Sequence, residues 1–383
     1  MNRKLIYDVL KLALTDDSVR TALPCHETEK GSILPDACEK VEQNFVDVPS
    51  SDWEWAFGVL SMHGLASFAY GAVEKLPQQV RPSKDVLLKF IASDMASRRE
   101  YAKLRALVEK MEGAIRQADI KCLLLKGLSL AEYYPKPHTR KFVDIDLYAP
   151  GAEESVDDVF RSKGVAVDNE FYRHSHFKLG GVLVENHKCL LDIRGRDALV
   201  ELDADLKSMA EKHLSDDKQP GLHYPDANFS AIFNLHHAMS HFIYEGISFK
   251  FLVDWILFLR NEKELLDADQ MASSLRKHNL VKFAAMMSLF SVHHLGLKMD
   301  EVPEYLHAEM SAITSRVEGR FEDDLFRPYE KVHQKSLVAE RIGNVRRIIK
   351  SAWKPKEFLG QNAMVFVWDK FLPILLGKKF EAD

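Results

Sequence analysis

The chain has 383 residues, 46% of them hydrophobic and 28% charged, with 18 glycines and 14 prolines. This composition excludes collagen-like, disordered and coiled-coil proteins, and the length suits two or three domains. The 52 Lys and Arg against 57 Asp and Glu leave a formal charge of -5, so the global basic field that holds a long nucleic acid is missing. Cys25, Cys38, Cys122 and Cys189 are scattered without a C-x-x-C pair, which favours a reducing compartment over a disulfide framework. No apolar run reaches the roughly 18 to 20 residues of a membrane-spanning helix. Asp8 and Lys11 interrupt the N-terminal apolar residues, so no signal peptide is read there. A cytoplasmic protein without membrane contact is expected.

In chain order, residues 1–20 read as an amphipathic helix and 21–51 as a polar, mostly irregular connector. Cys25, His26 and Cys38 fall in that connector, at spacings that match no common structural zinc pattern. A helix is expected over 53–74. Ser83 is a credible cap for a long helix over 84–117, whose apolar positions are Leu87, Ile91, Met95, Leu104, Val108, Met111 and Ile115. At 121–125 the texture changes to a short apolar run, KCLLL, read as a buried strand that ends on Lys126-Gly127. A short helix over 129–134, a Pro135/Pro137 loop and a strand over 142–148 follow, then a helix over 152–163. The span 171–193 reads as two strands joined at Gly180-Gly181. Beyond Arg196 the strand texture disappears. Asp226 caps a helix to about 244, a second covers 248–261, and further helices fill the rest. The implied organisation is a helical region over 1–117, an α/β core over 118–196 and a helical domain over 197–383.

Chemistry concentrates in the core. Alternation over 142–148 puts Val143, Ile145 and Leu147 on a buried face, and Asp144 and Asp146 together on the other, about 7 Å apart along the strand. Asp is disfavoured in strands, so two in one short strand call for a reason, and converging carboxylates on a rigid strand suit a cation. The stretch 123–129 reads as strand, glycine turn and helix start, which makes Lys126, Gly127 and Ser129 candidate phosphate ligands. The P-loop spacing is absent. Arg140, four residues before Asp144, can reach the same place. Glu185 and His187 share one strand face, so Glu185 can supply a third carboxylate, whereas Asp192 has the opposite parity. Carboxylates facing a phosphate-binding turn are the layout of two-metal phosphoryl chemistry.

His237 and His241 share a helix face, open to helix packing, metal ligation or contact with an acceptor. His174 and His176 read as surface or rim residues. Arg341, Arg346, Arg347, Lys350, Lys354 and Lys356 form the one basic cluster, read as a solvated helix face.

Leu125-Lys126-Gly127, Arg140 and Asp144-Ile145-Asp146-Leu147 together resemble the DNA polymerase beta-like nucleotidyltransferase superfamily. More narrowly, the chain is similar to an uncharacterised bacterial branch of it. Tyr133-Tyr134-Pro135, Glu185-Asn186-His187, the run His236, His237 and His241, and Leu252-Val253-Asp254-Trp255 carry that likeness. It spans about 53–260. Two departures in residue type are a Lys126-Gly127-Leu128-Ser129 turn in place of Gly-Gly or Gly-Ser, and Asn186 where an apolar residue is usual, and the separation from the turn to the aspartates is at the long end.

The resemblance implies an α+β fold, a small mixed β-sheet nucleotidyltransferase core flanked by large N- and C-terminal helical regions. It implies transfer of a nucleoside monophosphate from an NTP to an acceptor hydroxyl, with Asp144, Asp146 and Glu185 as catalytic Mg2+ or Mn2+ ligands. Lys126, Gly127 and Ser129 would hold the phosphates, Arg140 would offset their charge, and His187, His237 and His241 would be acceptor-side or orienting residues. The net charge favours a small-molecule or protein acceptor. The alternative is a catalytically inactive module that binds a nucleotide or phosphate.

Overall fold

KCLLL forms the strand β1 (Lys121–Leu125), with its last four residues buried. In the computed structural model, which describes residues 2–15, 43–193, 197–215, 219–327 and 349–362, β1 belongs to a mixed six-stranded sheet. The other strands are β2 (Asp144–Tyr148), β3 (Val167–Asp168), β4 (His174–Leu179), β5 (Val182–His187) and β6 (Gly221–His223), in the order β3-β4-β5-β2-β1-β6. β2 runs antiparallel to β1 and parallel to β5, and β4 and β5 form the expected hairpin. Gly180 and Gly181 turn it with φ of +53° and +81°, values a side chain rarely adopts. β6 corrects the expectation of no strand beyond Arg196. Its three residues are too few to show a period, and it exists because β1 offers it a parallel edge.

Helices surround the sheet. Before it come α1 (Arg3–Leu14), α2 (Ser50–Met62), α3 (Ala66–Val73) and α4 (Lys84–Gln117). α5 (Gly127–Ala131) and α6 (Glu153–Arg161) lie within it. α7 (Asp197–Ser215), α8 (Ala227–Tyr244), α9 (Phe249–Glu262), α10 (Ala268–Lys277) and α11 (Val281–His294) follow, then α12 (His307–Ala312), α13 (Ser315–Leu325) and α14 (Trp353–Leu359). Among the described residues no helix is long and apolar enough to cross a membrane.

The sheet separates two cores, as its two-residue period dictates. Cys122, Leu124, Ile145, Leu147 and Val184 face one side, against Val156 and Phe160 of α6 and the C-terminal half of α4. Leu123, Leu125 and Tyr148 face the other and join a larger core that draws on both the N- and C-terminal helices. The second side, toward the helical body, carries the site.

Several sequence expectations shift. The helix over 53–74 is two helices, because Gly64 takes φ +71° and ends the first. α4 has its expected limits, but its N-terminal half buries Val86, Phe90 and Asp94, and Met95 is 55% exposed. Asp94 hides that stripe from a hydrophobicity count, and it is held in the core by hydrogen bonds from Ser67 and Arg98. α5 covers Gly127–Ala131 and not 129–134. Val143 precedes β2 and is exposed, so only Ile145 and Leu147 form the buried face. Cys25, His26, Cys38, Arg341, Arg346 and Arg347 lie outside the described residues. Lys354 is not a solvated cation: it is fully buried and donates to Phe242 O at 2.6 Å and Asp324 Oδ2 at 2.8 Å.

Candidate active site

Register places the acids. In the parallel pair, Asp146 stands opposite Glu185 and Asp144 opposite Leu183, so Asp144, Asp146, Glu185 and His187 all leave one face of the sheet. One ligand atom from each of Asp146, Glu185 and His187 lies within 4.8 Å of the others. His187 Nε2 is 2.9 Å from Asp146 Oδ1 and 3.7 Å from Glu185 Oε2, and its Nδ1 is 3.3 Å from Cys189 O. Asp144 lies outside that group and lines the same cleft. His187 thus sits among the carboxylates, where it can orient Asp146.

The electrostatics match this crowding. Burial works against the charge of Asp146, 3% exposed, yet Lys126 and His187 hold its carboxyl well below the usual range. Lys126 Nζ lies 3.1 Å from Asp146 Oδ1, the same oxygen that meets His187. Burial, and then the Asp146 charge, push Asp144 and Glu185 the other way, above the usual carboxyl range. Two carboxyls that ionise reluctantly beside an ionised third are a set a cation would relieve. Two carboxylates and an imidazole in one group, with a further carboxylate on the same wall, fit a hard divalent ion. The buried Nδ1 of His174 has no hydrogen-bond partner, and its Nε2 is 3.8 Å from Glu185. His174 therefore belongs to the wall of the cleft, and the more exposed His176 to its rim.

The cleft has a volume of about 970 Å3 and runs between the sheet and the N-terminal part of α9 with the C-terminal part of α8. His237 and His241 of α8 line it, ring centroids 4.6 Å apart, and His241 Nδ1 is 2.9 Å from Glu245 Oε2. Burial, then Lys126, push His237 well below its ordinary range, so it is neutral. Gly127 lines the cleft too, and a Cβ there would fall 2.9 Å from Phe142 Cδ2, so any larger residue would have to push the Phe142 ring aside. Lys126 precedes it at φ +45°, an unfavourable backbone for lysine. Ser129 stands apart from the cleft and donates to Lys126 O at 2.9 Å.

Arg140 lines the cleft as its position suggested, and its donors are taken up within the protein. Its Nε and Nη2 donate to the two oxygens of Asp254 at 2.8 and 2.9 Å, and Nη1 donates to Gly127 O at 3.0 Å. Tyr134 OH adds a 2.7 Å bond to Asp254. All three side chains are buried. They brace the Gly127 turn against α9, and the Arg140 charge is matched by Asp254. Asn186, the other departure, points to the opposite face of the sheet. Its Nδ2 donates to Asp157 Oδ1 and Glu153 O at 2.8 Å each, beside Ser175, which donates to Asp157 at 2.6 Å. A polar group replaces the apolar residue there because Asp157 receives it.

Two contributors went unseen in the sequence. Lys250, on the first turn of α9, lines the cleft, although in sequence it only interrupts an apolar window. His63 Nδ1 accepts from Phe249 N at 3.3 Å and so fixes the start of α9.

The arrangement defines an α+β protein with a cleft that gathers three carboxylates and an imidazole between a small mixed sheet and a helical wall. Residues 49–296 match the model of a family described as uncharacterised nucleotidyltransferase, and the chain belongs to that family. No curated protein and no solved structure matches it.

Proposed function

We propose that the chain is a metal-dependent nucleotidyltransferase of the polymerase beta-like kind, which moves a nucleoside monophosphate from an NTP to a hydroxyl of a small molecule or protein. The observation that carries this reading is the convergence of Asp146, Glu185 and His187 within 4.8 Å, with Asp144 on the same cleft wall. Asp144, Asp146, Glu185 and His187 would hold Mg2+ or Mn2+. The bound ion supplies charge neutralisation for the triphosphate and for the attacking oxygen. Glu185, beside Asp146 on the cleft wall, takes the proton of the acceptor hydroxyl. The neutral His237 and the His241–Glu245 pair face that acceptor from the helical wall. The brace through Arg140, Tyr134 and Asp254 keeps the Gly127 turn fixed while ligands exchange.

The test is Mn2+-dependent NTP binding by wild type and by Asp144→Asn. Binding is expected to fall about tenfold or more in the variant, and equal metal-dependent binding in both would sink the metal assignment. One observation favours a second reading. Asp146 Oδ1 already meets an ammonium and an imidazole, so a module without turnover could bind nucleotide in the same cleft. Pyrophosphate release with cell extract as acceptor separates the two: tight NTP binding with persistent silence selects the second.

A further inference from the structure

A nucleotide brings polyphosphate charge into the cleft, and most of the cleft's cations are already engaged. Lys126 is paired with Asp146, and Arg140 with Asp254. His241 is paired with Glu245, and His176 lies 3.5 Å from Asp168. Arg173 has partners of its own. Two cations remain. Lys250 Nζ has only the Phe251 ring, 5.7 Å away, and Lys141 is exposed. Neither forms an ion pair among the described residues.

These two lysines belong together. A Cβ on Gly64 would lie 3.5 Å from Lys141 Cβ and 4.0 Å from Lys250 Cδ, so both stems flank the Gly64 turn. Both line the cleft with Asp144, and Lys250 enters from the N-terminal turn of a 14-residue helix, whose dipole adds positive potential. A half-buried lysine that makes no direct ion pair, with Asp144 and Asp254 acting on it only at longer range, is costly to hold, and an anionic ligand in the cleft would supply the missing contact. The turn first assigned to phosphates is a poorer candidate. α5 is only 5 residues long, and Ser129 does not face the cleft.

We propose that Lys250, seconded by Lys141, is the polyphosphate subsite, which receives the pyrophosphate end of the nucleoside triphosphate. This rests on the nucleotidyl-transfer reading. As the bond from the α-phosphorus to the acceptor oxygen forms, the bond to the bridging oxygen breaks. The electron pair stays with the departing pyrophosphate, where the Lys250 ammonium meets the charge. The acceptor's proton goes to Glu185.

The experiment is calorimetry on the full chain, with inorganic pyrophosphate and separately with ATP, GTP, CTP and UTP, in Mn2+ and in EDTA. Lys250→Met is expected to weaken pyrophosphate and the preferred NTP about tenfold or more, and Lys250→Arg to restore most of it. The melting temperature of Lys250→Met should match or exceed wild type, because a half-buried charge without an ion pair is removed. Unchanged binding in Lys250→Met, with metal-dependent NTP binding lost in Asp144→Asn, overturns the subsite and leaves the nucleotidyltransferase reading standing. Pyrophosphate binding that needs Lys250, without metal-dependent NTP binding in wild type, supports the subsite for free pyrophosphate and overturns the nucleotide reading. No binding of either ligand to wild type overturns both.

Discussion

Two cation–carboxylate pairs lie side by side, and they differ in what they leave unsatisfied. Arg140–Asp254 is bidentate, buried and reinforced by Tyr134, and the remaining Arg140 donor goes to Gly127 O. Lys126–Asp146 is a single 3.1 Å contact, its lysine 15% exposed to the cleft, on a carboxylate crowded by Glu185 and His187. A saturated pair fixes a fold. A pair with spare ligand capacity and a way out for its cation can be exchanged for a substrate ion. Neighbouring charges in one protein thus divide between architecture and chemistry by how completely their hydrogen bonds are filled.

The sharpest way to break this contrast is to neutralise each carboxylate in turn. Asp254→Asn leaves the Arg140 guanidinium buried without a counter-charge and should cost about 3–5 kcal/mol in urea unfolding. Asp146→Asn should cost less, because the Lys126 ammonium can turn into the cleft. Equal losses would mean that both pairs are architectural.

A smaller effect tests the exchange itself. Lys126 and an ion at Asp146 compete for one oxygen, so Lys126→Met should bind Mn2+ alone several-fold more tightly than wild type, by roughly 1 kcal/mol. Weaker Mn2+ binding would show instead that Lys126 holds Asp146 in position. The readout is a Mn2+ isotherm without nucleotide, which a loss of phosphate binding does not disturb.

What the sequence made legible follows the range of the interactions involved. Asp144 and Asp146 were readable because strand parity is local, and the Gly180-Gly181 hairpin because two glycines announce its turn. Parity put Glu185 and His187 on one face of β5 and said no more. The place of Glu185 opposite Asp146 is a matter of register, which forms only when β2 and β5 pair. Arg140 lay beyond reach: its partner Asp254 is 114 residues away, and nothing near Arg140 distinguishes a buried pair from a phosphate ligand. Lys250 was hidden for a related reason. In an apolar helix, a lone lysine shows which way it faces only once the helix is docked. β6, three residues long, carries too little pattern for any periodicity to register.

The smallest effect concerns pH, and it separates Lys250 from both pairs. Burial, then the repulsion of Arg140, lower its ammonium from 10.5 to about 8, with Lys141 adding to the fall and Asp254 and Asp144 opposing it. Below that value Lys250 is a cation and above it neutral. Pyrophosphate affinity in EDTA should therefore hold up to about pH 7 and decline as pH rises through 8. Lys250→Arg stays charged throughout, so its affinity should fall less over the same range. Stability moves the opposite way. Between 8 and 10.5 the unfolded lysine binds the proton that the folded one has released, so folding gains as pH climbs through that window. Wild type should gain on Lys250→Arg over that interval, while below pH 8 the difference between them stays constant. Parallel affinity profiles would show that the Lys250 charge does not meet the anion. Parallel stability profiles would show that the lysine titrates as it does in water.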